Sequence, residues 1–171
     1  MSYKEPSGYQ RILSVDPSRT GFGFVILEGG QRLVDWGVAR LWSTSDQEFV
    51  ARLETLTDRY GPALLVVEDL SESRRRGRAA RRIELVKTYA ASRGIRVVAV
   101  TRRIVRSVFA EAGTTKHEIA VALAVEFPEL AGRVPPQRKL WMSEDERMSL
   151  FDALSFAVAA LRATALDKRA A

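Results

Sequence analysis

Cysteine is absent from the 171 residues, which excludes disulfides and thiolate metal sites. Histidine occurs once, at His117, and reads as an exposed helix residue. The longest apolar stretch, Ala153 to Leu161, falls far short of the roughly 20 residues that a membrane-spanning helix needs. The opening residues, Met1 to Gly8, are polar and lack the apolar centre of a signal peptide. A soluble protein is expected, and a cytoplasmic location fits. Hydrophobic content of 46% and charged content of 28% are ordinary for one globular domain of this length.

What the chain does carry is an uneven charge. The net charge is +6, but Ser71 to Arg106 alone holds twelve Lys and Arg against two acids, Glu72 and Glu84. The remainder has fifteen basic and nineteen acidic residues. A basic excess confined to one segment is the footprint expected for a polyanion. Arg74, Arg75, Arg76, Arg78, Arg81 and Arg82 form its densest part and are candidate nucleic-acid contacts. Binding through phosphates gives affinity without sequence specificity and a steep salt dependence. The plainer alternative is a solvated helix face or flexible loop.

Hydrophobic periodicity predicts the order of elements. Residues 1–10 read as a disordered lead-in, 11–166 as one domain and 167–171 as a polar tail. Arg11–Asp16 and Gly21–Glu28 are strands, joined through Gly29-Gly30 to a third over Arg32–Trp42, giving an antiparallel meander. A helix follows over Gln47–Tyr60, ended by Gly61-Pro62. The apolar run Ala63–Val67 predicts a central strand covered on both faces. A helix over Arg78–Ser92, a strand over Ile95–Val100 and helices over Ile104–Ala112 and Thr115–Phe127 come next. Ser149-Leu-Phe-Asp152 resembles a capping box, so the last helix is expected to begin there and run to about Leu166. The result is an α/β fold with a mixed five-stranded sheet, three antiparallel strands plus two parallel, flanked by helices.

Three acids stand where these elements end or begin. Asp16 closes the first strand, Glu68 the fourth, and Asp152 opens the last helix. Singly, Asp16 reads as a turn carboxylate before Pro17, and Asp152 as an acid favoured by the helix dipole. Glu68 is harder to explain, because a Glu closing five apolar residues gains nothing by packing. Three converging carboxylates repel one another, and the usual compensation is a divalent cation with oxygen ligands. Asp69 points to the opposite face from Glu68. Trp36, Trp42 and Trp141 are expected in core or rim packing, and Phe22 and Phe24 in the core.

Four segments in order resemble the RuvC family of Holliday-junction resolvases, within the ribonuclease H-like superfamily. They are Ile12-Leu-Ser-Val-Asp16-Pro-Ser-Arg-Thr-Gly21-Phe-Gly, Val66-Val-Glu68, the stretch Thr101-Arg-Arg-Ile-Val-Arg-Ser-Val with Gly113-Thr-Thr-Lys116, and Asp152-Ala-Leu-Ser-Phe-Ala. The resemblance implies a crossover-junction endodeoxyribonuclease, Mg²⁺-dependent and homodimeric, that nicks four-way DNA junctions in recombination and repair. Asp16, Glu68 and Asp152 would hold Mg²⁺ or Mn²⁺, two ions in all. One would activate a water and the other stabilise the leaving 3′ oxygen. Lys116 would contact the scissile phosphate or stabilise developing charge.

Two departures stand out. The family carries an acid or His three residues before its last Asp, and this chain has Ser149, with Asp145 and Glu146 as distant substitutes. The family's small, mostly neutral segment after Glu68 is replaced here by arginines. The alternatives are a branched nucleic-acid binding module with weakened or lost catalysis, and a ribonuclease H-like nuclease for another substrate.

Overall fold

A computed structural model describes residues 10–170, with only the helical backbone for residues 164–170. The expected lead-in lies outside the described residues except for Gln10, as does Ala171 of the expected tail.

Five strands form one sheet: β1 (Arg11–Pro17), β2 (Gly21–Glu28), β3 (Arg32–Arg40), β4 (Leu64–Glu68) and β5 (Arg96–Val100). Their order is β3-β2-β1-β4-β5. β1 pairs antiparallel with β2, and β2 with β3 across a turn at Gly29 and Gly30, both at positive φ. β4 pairs parallel with both β1 and β5. The strands bearing Asp16 and Glu68 are therefore neighbours at the sheet centre, and the fold is the ribonuclease H-like α/β fold expected from the sequence.

Strand alternation sorts the side chains between two cores. Leu13, Val15, Ile26, Leu65 and Val67 pack against α1 (Asp46–Tyr60) and α2 (Gly77–Ser92). Ile12, Val25, Leu27, Val66 and Val100 face the other way, toward α3 (Arg102–Val108), α4 (Lys116–Glu126) and α5 (Met148–Ala170). The same parity carries Asp16, two residues beyond Ser14, and Glu68, two beyond Val66, onto the α5 side.

α5 corrects the sequence reading at both ends. It begins at Met148 and continues to Ala170, so Ser149 and Asp152 lie inside its first turns. Ser149 is not the N-cap; its hydroxyl donates to the Glu146 carbonyl at 2.7 Å. α5 crosses β2 at Gly23, where an added Cβ would stand 2.1 Å from the Ser149 carbonyl group. Only a glycine permits this approach, and it fixes the depth at which Asp152 enters the sheet face.

Candidate active site

The strand ends and α5 bring Asp16, Glu68 and Asp152 together, with 1%, 2% and 4% of their surfaces exposed. Three side chains that supply positive charge meet them. Arg75, in the irregular stretch before α2, donates to Asp16 Oδ1 at 2.8 Å and Oδ2 at 3.3 Å. Its Nη1 also lies 3.1 Å from Glu68 Oε2, yet that oxygen accepts no well-formed hydrogen bond. The approach is an ion pair of poor angle, and Glu68 Oε2 is the least satisfied atom of the site.

Arg102 is the first residue of α3, two positions past Val100, which pairs with Glu68 across β4 and β5. It donates to Asp152 Oδ1 and Oδ2 at 2.7 and 3.1 Å, and to Glu68 Oε1 at 3.3 Å. Its guanidinium stacks 4.7 Å over the Phe156 ring. Lys116, the first residue of α4, is fixed by the Thr115–Glu118 capping box. Its Nζ reaches Asp152 Oδ2 at 2.8 Å and Glu144 Oε1 at 2.7 Å.

Charge follows from this packing. Burial, and then the negative Asp152 nearby, push Asp16 up from its ordinary 3.8 to about 6, against the pull of Arg75, Arg102 and Lys116. Burial acts on Asp152 in the same sense, but Arg102 and Lys116 outweigh it and hold that carboxyl below the usual range. Burial opposes the charge on Arg75, Arg102 and Lys116 too, yet their carboxylate partners win and raise all three. Of the two acids, Asp16 is the one whose charge the site favours less and Asp152 the one it holds more firmly.

A cleft of about 690 Å³ opens onto Glu68 and Asp152, walled in part by Arg74, Arg75, Arg102, Arg106 and Lys116. A second cleft of about 750 Å³ beside β3 is lined in part by Glu144, the partner of Lys116, and by none of the three buried acids.

The donor chemistry suits a divalent cation: three buried carboxylates, all hard oxygens, one of them with an under-bonded oxygen. In the structure the compensating charge comes from arginine and lysine, and among the described residues no three acids are spaced as a ready-made metal cage. The residues fit a cation here once an arginine gives up its place.

The six clustered arginines divide. Arg74, Arg76 and Arg78 are exposed. Arg75 turns inward, and Arg81 pairs with Asp46 at 2.8 Å. Arg82 is 1% exposed, stacked 5.2 Å over Phe49 and donating to the Ser18 carbonyl, so it is core rather than phosphate contact. Asp145 is engaged by Arg147, and Glu146 by Thr20 and Arg40, so neither replaces the missing ligand at Ser149. Asp69 caps a short 3₁₀ turn, away from the acids. His117 is half-buried rather than exposed, and its Nδ1 is buried without a partner. Phe22 is buried, and Trp36 and Phe24 pack partly buried against the cores. Trp42 and Trp141 are exposed at 93% and 80%, contrary to the expected packing.

Sequence reasoning missed Arg102 and Glu144. For Arg102 a signal existed: the alternation of β5, continued two residues, puts position 102 on the face of Glu68.

The class defined here is a ribonuclease H-like domain with a buried acidic cluster at the ends of its central strands. Two solved structures of RuvC from Thermus thermophilus share this fold. One, in complex with a Holliday junction substrate, is 18% identical, with a TM-score of 0.64 over 93% of this chain and 97% of that one. The other is 21% identical, with a TM-score of 0.64 over 92% and 97%. No protein-family model and no curated protein matches the chain. Among the described residues no helix is long and apolar enough to cross a membrane.

Proposed function

We propose that this chain is a divalent-metal-dependent, structure-selective endodeoxyribonuclease that nicks four-way DNA junctions, acting as a homodimer. The observation that carries the reading is the convergence of the buried Asp16, Glu68 and Asp152 from β1, β4 and α5, with Glu68 and Asp152 lining a cleft walled by basic side chains. The likeness of the whole fold to RuvC supports it.

Asp16, Glu68 and Asp152 would hold Mg²⁺ or Mn²⁺. When bound, the metal supplies a Lewis acid and a water of lowered pKa for hydrolysis of the phosphodiester. The chain's own groups do the rest. Arg75 and Arg102 stand at the cleft wall within reach of a phosphate. Lys116 sits at its rim, held by Asp152 and Glu144, and presents a positive charge where negative charge develops. Arg74, Arg76 and Arg78 give the backbone of the DNA arms a sequence-independent hold.

A second reading, a branched-DNA binding module without catalysis, draws on the arginines paired with every buried acid and on the hydroxyl at Ser149. A labelled four-way junction, a duplex and an RNA–DNA hybrid, each with Mg²⁺, Mn²⁺ or EDTA, separate these readings. The expected result is metal-dependent nicking of the junction alone, with Asp16→Asn binding it normally and cutting at least about 10³-fold more slowly. Tight binding without nicking in either metal selects the binding module. Preferential cutting of the hybrid selects a nuclease for another substrate.

A further inference from the structure

We infer that the site takes one divalent ion, not two, because Arg102 stands in it as the resident second cation. The inference rests on the nuclease reading above and concerns how many ions that site admits.

The two arginines of the site are anchored very differently. Arg75 belongs to the irregular stretch between Ser73 and α2. The helix behind it begins at Gly77, at φ +67°, and its N-cap residue, Arg76, makes no side-chain capping hydrogen bond. The Arg75 guanidinium is held only by Asp16 and the ill-aligned oxygen of Glu68. Arg102 hangs from the junction of β5 and α3, where Thr101 caps the helix by accepting from Ile104 N at 3.2 Å. Three hydrogen bonds to two buried carboxylates and the face of Phe156 hold its guanidinium. Removing it would strand Asp152 and part of Glu68 in a buried setting, where an unpaired charge is costly. Arg75 can yield its place between Asp16 and Glu68; Arg102 keeps its place between Glu68 and Asp152.

The ligands agree. The resemblance implies a further ligand for a second ion three residues before Asp152, a position one helical turn away on the same face. That position is Ser149, 6% exposed, with its hydroxyl committed to the Glu146 carbonyl.

Charge balance points the same way. Three buried carboxylates face three cations, so the cluster is neutral as folded. One divalent ion in place of Arg75 leaves a single net positive charge, the complement of a phosphodiester. Two divalent ions beside Arg102 and Lys116 would leave three. Glu144, which pairs with Lys116 at 2.7 Å, lowers each of these sums by one and leaves their order unchanged.

The test is a count of bound Mn²⁺ by equilibrium dialysis with the full chain on a four-way junction. Site-bound metal is the excess over the Asp16→Asn, Glu68→Gln, Asp152→Asn triple variant on the same DNA. The expected result is one ion per chain for wild type and for Arg102→Lys, rising to two at high Mn²⁺ for Arg102→Gln. Two ions in the wild type, or one in a folded Arg102→Gln chain, overturn the inference. Should Arg102→Gln fail to fold, the wild-type count decides alone. Junction nicking with two wild-type ions sinks this inference and leaves the nuclease reading standing, whereas no site-bound ion at all sinks both.

Discussion

Asp16 is the residue at which burial and charge contend most openly. Its folded-state value of about 6 lies above its ordinary 3.8, so folding favours its protonated form. The stability it contributes is fully present below about pH 3.8 and is lost as the pH rises through about 6. Asp152, held low by Arg102 and Lys116, behaves oppositely: its contribution is present above the ordinary carboxylate range and lost in acid. In metal-free buffer, Asp16→Asn should therefore melt about 2–5 °C above wild type near pH 7.5, with the gap closing toward pH 4.5. Thermal melts of both proteins across that range check it, and a gap independent of pH would contradict it. The residue itself was legible as the acid closing the first strand. Its partner Arg75 was legible only as one member of a basic run, because nothing local tells which of six neighbouring arginines turns inward.

Elements set where the acids meet, and here the sequence was readable in proportion to its periodicity. Asp16 and Glu68 were each legible as the acid closing an apolar strand. That both lie on one face follows from the parallel register of Leu13 with Leu65 and Ser14 with Val66, which periodicity within a single strand does not report. The start of α5 was misread, because Ser149 and Asp152 mimic a capping box while successive turns through Asp145, Glu146 and Arg147 start the helix at Met148. What holds that helix in depth is a backbone contact that no periodicity reports: β2 at Gly23 against the Ser149 carbonyl group. Gly23→Ala would drive a methyl into backbone on the far side, which cannot swing away as a side chain would. A loss of roughly 3 kcal/mol is expected from such overpacking. Because α5 carries Asp152, nicking should fall more than binding does. Urea unfolding and a junction-nicking assay read the two effects, and unchanged stability would mean that α5 is not seated at this depth.

At the scale of the whole molecule, the basic excess over residues 71–106 is the property a polyanion meets first. Composition revealed it but could not apportion it, since tertiary placement decides which arginines face solvent. Of the cluster, Arg74, Arg76 and Arg78 remain exposed with no carboxylate partner among the described residues, while Arg75 serves the buried acids, Arg81 pairs with Asp46 and Arg82 lies over Phe49. Each phosphate neutralised on duplex DNA releases counterions worth about 0.9 in the slope of log affinity against log salt. Replacing Arg74, Arg76 and Arg78 together by alanine should reduce that slope by about 2–3 and weaken junction and duplex binding alike. Arg82→Met, which removes a buried charge, should leave the slope unchanged. Fluorescence anisotropy of a labelled junction between about 50 and 300 mM NaCl measures both. If the triple variant kept the wild-type slope, the DNA arms would have to run along another face, and the cleft wall at Arg102, Arg106 and Lys116 would be the place to look next.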